Sequence, residues 1–147
     1  MGDDTRVAFL IKRYPQRIND TDKYGYTALH YAARNNRLRT CQILLQSGAD
    51  LFARTRSDGA TAAHRAAFCG CLGVLEELLK HGGEKLATFT DNEGRSCLHS
   101  SALRQPVFFT PHIIREITNV FMSKEIRRRV MHIDQTNIQQ STSGSSN

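Results

Sequence analysis

The sequence has no apolar run long enough to cross a membrane and no recognisable export signal. No stretch of about 18 consecutive apolar residues occurs in the 147-residue chain, so we expect no transmembrane helix. The first residues, Met-Gly-Asp-Asp, lack the basic flank and apolar core of a secretory signal. These two absences exclude the membrane and secreted classes and favour a cytoplasmic protein that can also be nuclear.

The four cysteines are not spaced as metal ligands. Cys69 and Cys71 are separated by one glycine, and no C-x-x-C pair occurs anywhere in the sequence. A structural zinc site would need ligand pairs at characteristic spacings. We therefore predict free thiols in a reducing compartment, with no metal and no cofactor.

The charge balance is basic but dispersed. The formal net charge is +6 and the isoelectric point is about 9.5, and Arg127–Arg129 form a basic run beside Lys124. This composition suggests nucleic-acid association or a nuclear regulatory role as an alternative function. Against that reading, acidic residues are interspersed with the basic ones, and no nucleic-acid-binding fold signature appears. The arginine run can equally be an import signal or the solvated face of a helix.

One tetrapeptide pattern recurs three times in phase. The copies are Thr-Ala-Leu-His at 27–30, Thr-Ala-Ala-His at 61–64 and Ser-Cys-Leu-His at 96–99. A glycine lies two residues before each copy, at Gly25, Gly59 and Gly94, and these glycines are 34 and 35 residues apart. A fixed period of this length predicts a solenoid of stacked units, a class of fold that presents long surfaces to partners.

Each period reads as two helices joined by a short loop. Thr27 and Thr61 are suitable N-caps, since a threonine hydroxyl can accept from the free amides of a helix's first turn. The outer helix of the second period has apolar residues at helical spacing, for example Leu75, Leu78 and Leu79. Gly48 and Gly82 suit the left-handed position that ends a helix.

These motifs resemble the ankyrin repeat, whose pattern is a hairpin turn, a TPLH-led inner helix, a loop, an outer helix and a Gly-Ala-Asp turn. The resemblance extends over roughly residues 22 to 102. It implies an all-α ankyrin-repeat solenoid of stacked helix-turn-helix units with short hairpin turns. We predict a partial repeat with only an outer helix at 1–21, repeats at 22–54 and 55–88, a degenerate repeat at 89–122, and a short helix with a polar tail at 123–147.

The last two units depart from the repeat pattern. Thr110 and Pro111 read as an N-cap and a first-turn proline. They precede an apolar stripe that we interpret as a substitute outer helix: Ile113, Ile114, Ile117, Val120 and Phe121. Ser123 is a candidate cap for a further short helix with apolar residues at Ile126, Val130 and Ile133. From Asp134 the sequence is polar, and its last residues are too poor in apolar groups to offset the entropy of ordering.

The phased histidines are the residues that most suggest chemistry. His30, His64 and His99 occupy equivalent repeat positions, which places them roughly 8–10 Å apart, too far to share a zinc ion. No nucleophile or carboxylate recurs beside them, so we predict no catalytic residue. The resemblance implies instead that each histidine binds backbone near a hairpin and the tetrapeptide hydroxyl. The structural motif then comprises Thr27, His30, Thr61, His64, Ser96 and His99.

The resemblance also implies where a partner would bind. In ankyrin repeats, partners meet the hairpin tips and the concave face of the inner helices. The corresponding aromatic and charged residues here are Tyr24, Tyr26, Tyr31, Arg34, Arg56, Asp58, Arg65 and Phe68. Tyrosine and arginine are frequent interface anchors, although these could also be ordinary surface residues. We expect a non-enzymatic adaptor or scaffold that binds a protein, with no small-molecule substrate.

Overall fold

The computed structural model describes residues 2–99 and 110–123, and all regular secondary structure within these residues is helical. The helices are α1 (Gly2–Arg13), α2 (Ala28–Arg34), α3 (Leu38–Gln46), α4 (Ala62–Phe68), α5 (Leu72–Thr88) and α6 (Pro111–Phe121), with a 3-10 turn at Pro15–Arg17. Residues 97–99 begin a further helical segment. The all-α prediction is confirmed. None of the described helices is both long enough and apolar enough to cross a membrane.

The helices form two layers along a stack. The inner helices α2 and α4 pack against each other, while the outer helices contact one another in the order α1, α3, α5 and α6. Within each unit the inner helix also contacts its outer helix, as α2 contacts α3 and α4 contacts α5. Because every unit touches mainly its neighbours, the architecture is a solenoid.

Small side chains allow the inner helices to approach closely. Ala33, Ala63, Ala66 and Ala67 are at most 1% exposed, and larger leucines fill the space between the layers. Alanine also has the highest helix propensity, so these residues stabilise the short helices α2 and α4 as well as allowing them to pack closely. The core is continuous from α2 to α6.

The predicted N-caps are present at both full inner helices. Thr27 and Thr61 have extended backbone angles, and their hydroxyls accept from the amides of His30 and His64 at 3.4 Å. The third copy has the same bond, from the amide of His99 to the hydroxyl of Ser96 at 3.2 Å. The tetrapeptide therefore begins each inner helix.

The predicted helix end at Gly82 is wrong by one residue. Gly48 has the expected positive φ of 93°, but in the next unit the positive φ belongs to Gly83, at 62°. Both residues precede the next hairpin glycine by 11 positions, because the second period is one residue longer than the first. Gly82 remains helical, and the position favours glycine because a Cβ atom there would lie only 2.5 Å from that of Leu86. The first helical stretch of α5 ends at Gly83, whose backbone is not helical (φ 62°, ψ −153°), and a second short stretch follows to Thr88.

The outer layer extends to both ends of the described chain. Thr110 caps α6 by accepting from the amide of Ile113 at 3.4 Å, as the Thr-Pro pattern predicts, and Ile114 and Ile117 are buried. At the other end α1 contacts α3, and the hydroxyl of Thr40 donates to Asp4 at 2.6 Å. The short helix predicted after Ser123 lies outside the described residues, and our repeat boundaries stay predictions.

Candidate protein-docking surface

Two of the phased histidines, His30 and His64, link their inner helix to the next hairpin. Nδ1 of His30 accepts from the amide of Thr27 at 3.1 Å, and Nε2 lies 3.1 Å from the carbonyl oxygen of Ala60. His64 repeats the arrangement, with the amide of Thr61 at 3.2 Å and the carbonyl of Arg95 at 2.8 Å. Since Nδ1 must accept, the proton lies on Nε2, which donates to the carbonyl. The rings thus serve as structural bridges between repeats.

The hairpins are also bonded directly to one another. The amide of Arg56 donates to the carbonyl of Tyr24 at 3.0 Å, and the amide of Asn92 donates to the carbonyl of Asp58 at 2.9 Å. Gly25 permits this approach: it has a φ of +80°, and a Cβ atom there would lie 2.9 Å from the amide nitrogen of Arg56. The three hairpin tips therefore form one continuous edge.

Two aspartates that the repeat motif does not single out shape two of the hairpins. Oδ1 of Asp22 accepts from the amides of Tyr24 and Tyr26 at 2.9 and 3.0 Å, and Asp91 does the same for Glu93 and Arg95. An aspartate side chain that folds back in this way mimics a backbone turn. The signal was available in the sequence, because both aspartates lie three residues before a hairpin glycine.

Two tyrosines form the centre of the predicted surface. The ring centroids of Tyr26 and Tyr31 are 5.1 Å apart, and the guanidinium carbon of Arg65 lies 5.2 Å from the Tyr26 centroid. The hydroxyl of Tyr31 donates to the carboxylate of Asp22, which lowers the pKa of that aspartate. The first hairpin, α2 and α4 thus contribute to a single aromatic cluster.

Arg65 is held inside this cluster by Asp58. Its Nη2 atom lies 2.8 Å from both carboxylate oxygens of Asp58, and the arginine side chain is only 15% exposed. Burial alone would raise the pKa of Asp58, but the Thr55 hydroxyl and Arg65 together lower it. Arg65 therefore positions Tyr26 and offers little surface of its own to a partner.

The remaining predicted binding residues are on the surface. Tyr24 and Phe68 are 57% and 41% exposed, and Tyr31 is partly exposed beside Arg34, whose guanidinium carbon lies 6.0 Å from the tyrosine centroid. Arg56 is exposed, and its side chain donates to the carbonyl of Lys23 at 3.1 Å. We define the tip-and-inner-helix strip as Tyr24, Tyr26, Tyr31, Arg34, Arg56, Asp58, Arg65 and Phe68. Ser100 and Leu103, which the repeat pattern assigns to the third inner helix, lie outside the described residues.

The thiols and histidines form no recognisable reactive site in the described chain. The cysteines are free, and burial raises the pKa of Cys41 and of Cys97 to about 12, so both are protonated at neutral pH. Residues 2–99 and 110–123 contain no group of three or more histidine, cysteine or acidic side chains that could hold a metal ion. Burial likewise lowers the pKa of His30 and His64, so both rings are neutral.

Comparison with known proteins gives similarity to proteins much longer than this chain. Human NAD-capped RNA hydrolase NUDT12 is 33% identical over 96 residues, which are 65% of this chain and 21% of the hydrolase. Mouse RelA-associated inhibitor is 38% identical over 76 residues, or 45% of this chain and 9% of that protein. The similarity to these relatives therefore covers only a minor part of each of them.

A shorter alignment has a higher percentage of identical residues. Human ankyrin repeat domain-containing protein 39 is 48% identical over 54 residues, which are 37% of this chain and 29% of that protein. The Gly-Tyr-Thr-Ala-Leu-His-Tyr-Ala segment and the Phe-Cys-Gly loop predict this resemblance, which is confirmed. The ankyrin repeat profile itself matches residues 24–56 and 58–88. Residues 24–88 are therefore ankyrin repeats, the family that the phased tetrapeptides predict.

Proposed function

We propose that this chain is a non-enzymatic recognition module, an adaptor or scaffold that binds a partner protein through the tip-and-inner-helix strip. The observation that carries the proposal is the fixed position of the tyrosine pair. Asp22 holds Tyr31 through its hydroxyl, and Arg65, fixed by Asp58, lies over the ring of Tyr26. Aromatic anchors that are ordered before binding lose less conformational entropy when a partner arrives.

The exposed members of the strip supply the contact area. Tyr24 lies in the first hairpin and Phe68 at the end of α4 in the next repeat, and Arg34 and Arg56 add charged donors. This combination of central aromatic groups and a polar rim is typical of protein interfaces. We propose a cytoplasmic protein partner, with the nucleus as a second compartment.

Two other functions receive less support. A catalytic role would be suggested by the similarity to the RNA hydrolase, but that similarity covers 21% of the hydrolase. Nucleic-acid association would need a concentrated basic surface, whereas Arg17, Arg65 and Arg95 are each paired with an acidic side chain. The run Arg127–Arg129 lies outside the described residues. Nucleic-acid affinity would fall steeply as salt rises, so a salt titration separates it from protein docking.

The proposal is tested with two matched double variants of the full chain. Tyr24→Ala/Phe68→Ala removes two exposed aromatic side chains from the strip. Tyr14→Ala/Phe9→Ala is the control, because it removes one tyrosine and one phenylalanine at α1 and just after it. These two control side chains are 43% and 64% exposed. Partners are captured from cells with tagged protein and quantified by mass spectrometry. Proteins that dock on the strip should be retained by the native chain and the α1 variant, and lost at least about tenfold with the strip variant.

Two results would contradict the proposal. Partners that bind the strip variant normally but are lost with the α1 variant would move the interaction site to the N-terminal helix. Partners that bind both variants normally would exclude both aromatic surfaces. Circular dichroism of each variant checks that the helices remain folded, since all four side chains are on the surface.

A further inference from the structure

A second surface lies on the outer-helix side of the stack, away from the tip-and-inner-helix strip. A groove of about 730 Å³ runs along α5 and α6 and reaches Leu38 of α3. Much of its lining is apolar, including Leu72, Ile117 and Phe121. Leu38 and Val120 are 40% and 74% exposed there, so they extend this apolar lining to the surface as part of a contiguous patch. The groove therefore offers apolar area that a second element could cover.

The rim of the groove is acidic. Glu76 and Glu77 of α5 and Glu116 of α6 line it, against a single basic residue, Lys80. The Glu116 side chain is 66% exposed and its ion pair with His112 is a surface pair, so it can exchange partners at little cost. An apolar groove bordered by carboxylates is complementary to an amphipathic helix that has basic residues on both sides of its apolar face.

The sequence that follows α6 has this chemistry. Within residues 124–133, Ile126, Val130 and Ile133 recur at i, i+4 and i+7, the spacing of one helix face. The same ten residues contain four basic side chains, Lys124 and Arg127–Arg129, and one acidic side chain, Glu125. The net charge of residues 124–133 is therefore positive, opposite in sign to the acidic rim of the groove.

The chain leaves α6 beside the groove. Met122 ends the helix with extended backbone angles and is buried, and the amide of the next residue, Ser123, donates to the carboxylate of Glu84 at 3.1 Å. Glu84 lies four residues beyond Lys80, the last residue of α5 in the groove lining. A ten-residue helix is about 15 Å long, and the part of α5 from Leu72 to Lys80 spans about 12 Å. The segment and the groove therefore match in length.

We propose that residues 124–133 form a basic amphipathic helix that docks in the groove between α5 and α6. Its isoleucine and valine side chains cover Val120 and Leu72. Arg127 and Arg129 lie on either side of that apolar stripe and face the acidic rim of Glu76, Glu77 and Glu116, while Arg128 lies on the opposite face. Because the segment is covalently attached next to the groove, its effective concentration there is high. The arginine run then completes the outer layer of the stack and is not a nucleic-acid contact.

Hydrogen exchange of the full chain, followed by mass spectrometry, tests this contact. Peptides covering 124–133 should exchange slowly in the native chain. Glu76→Lys/Glu116→Lys should speed their exchange about tenfold, because attraction becomes repulsion at two positions. Arg127→Glu/Arg129→Glu should have the same effect, and combining the two sets should restore protection. Asp20→Lys/Glu93→Lys is the matched control, since both acidic side chains are exposed and lie outside the groove lining.

Three outcomes would overturn the proposal. Equally fast exchange of 124–133 in the native chain and the groove variant would show that the segment does not dock. Protection that depends on protein concentration would place the segment on a second copy of the chain. Protection that survives both sets of charge reversals would place it on another surface. Unchanged exchange of peptides from α4 shows that each variant remains folded.

Discussion

Nε2 of His64 donates a hydrogen bond to the backbone carbonyl of Arg95 at 2.8 Å, across 31 residues of sequence. The ring is 4% exposed, and its other nitrogen accepts from the amide of Thr61. One side chain therefore fixes the start of α4 and binds α4 to the third hairpin. Loss of the ring would leave the Arg95 carbonyl without this donor and remove a tie between neighbouring repeats.

We predict that His64→Ala lowers the free energy of unfolding by roughly 1–3 kcal/mol, the usual penalty for leaving a buried polar group without its partner. Urea titration followed by circular dichroism measures the change. His112→Ala is the control, because that side chain is 77% exposed and should have little effect. An unchanged unfolding midpoint for His64→Ala would contradict the bridging role.

Stability should fall on mild acidification. Burial lowers the pKa of His30 and of His64 below the ordinary value of 6.5, so the unfolded chain binds more protons as pH falls through that value. The stabilisation is complete above 6.5 and is lost as pH falls toward the folded pKa values. Asp22, Asp58 and Asp91 stay ionised in this window, since the pKa of each lies below 3.8.

The measurement compares urea midpoints of the native chain at about pH 7.5 and about pH 5.5, above and within the window in which the unfolded histidines take up protons. The native midpoint should be lower at the acidic pH. His64→Ala should show a smaller decrease, because one of the two buried rings is gone. An identical decrease in both proteins would assign the pH dependence to other groups.

The contact between Arg65 and Asp58 should be energetically coupled. The Arg65 side chain is mostly buried, with Asp58 oxygens 2.8 Å away, so each single substitution leaves a partly desolvated charge unpaired. In a double-mutant cycle of Arg65→Gln and Asp58→Asn, we expect a coupling energy of roughly 0.5–3 kcal/mol. Chemical unfolding of the four proteins measures it. Additive effects would mean that the two residues act independently and that the pair does not fix Tyr26.

Two glycines in α5 should respond to alanine with opposite signs. A Cβ atom at Gly82 would lie 2.5 Å from that of Leu86, which is fully buried, so overpacking should destabilise Gly82→Ala by roughly 1–3 kcal/mol. No atom lies within 4 Å of a Cβ at Gly73, and Gly73→Ala should stabilise the helix by about 0.5–1 kcal/mol. Thermal unfolding of the two variants tests the contrast. Equal shifts in the same direction would contradict the tight contact at Leu86.

Features that depend on local sequence could be predicted before the structure. Thr27 with His30 and Thr61 with His64 lie three residues apart, and a hydroxyl at an N-cap reaches the third helical residue wherever this spacing occurs. Thr110 before Pro111 indicates the start of α6 in the same way. Such contacts are contained within one turn of helix, and the periodicity then places them at the same point of every unit.

Features that depend on tertiary pairing could not be predicted from the pattern. The repeat register places Arg65 among the variable surface positions, yet its side chain is held by Asp58 from the hairpin. Tyr31 and Asp22 likewise meet across nine residues, only because the hairpin folds back over α2. The adjacent glycines show a different case, because counting forward from the tetrapeptide points to Gly82, whereas counting back from the next hairpin glycine points to Gly83, which has the positive φ.

The two edges of the stack should differ in mechanical behaviour. The hairpin edge is joined by directed hydrogen bonds, such as those from Arg56 to Tyr24 and from Asn92 to Asp58, which hold neighbouring units at a fixed spacing. The outer edge is joined largely by apolar contact, which is non-directional and permits small sliding movements. When the stack bends, the spacing between outer helices should therefore change more than the spacing between hairpins. We therefore expect changes in the curvature of the solenoid to leave the distance from one hairpin tip to the next unchanged.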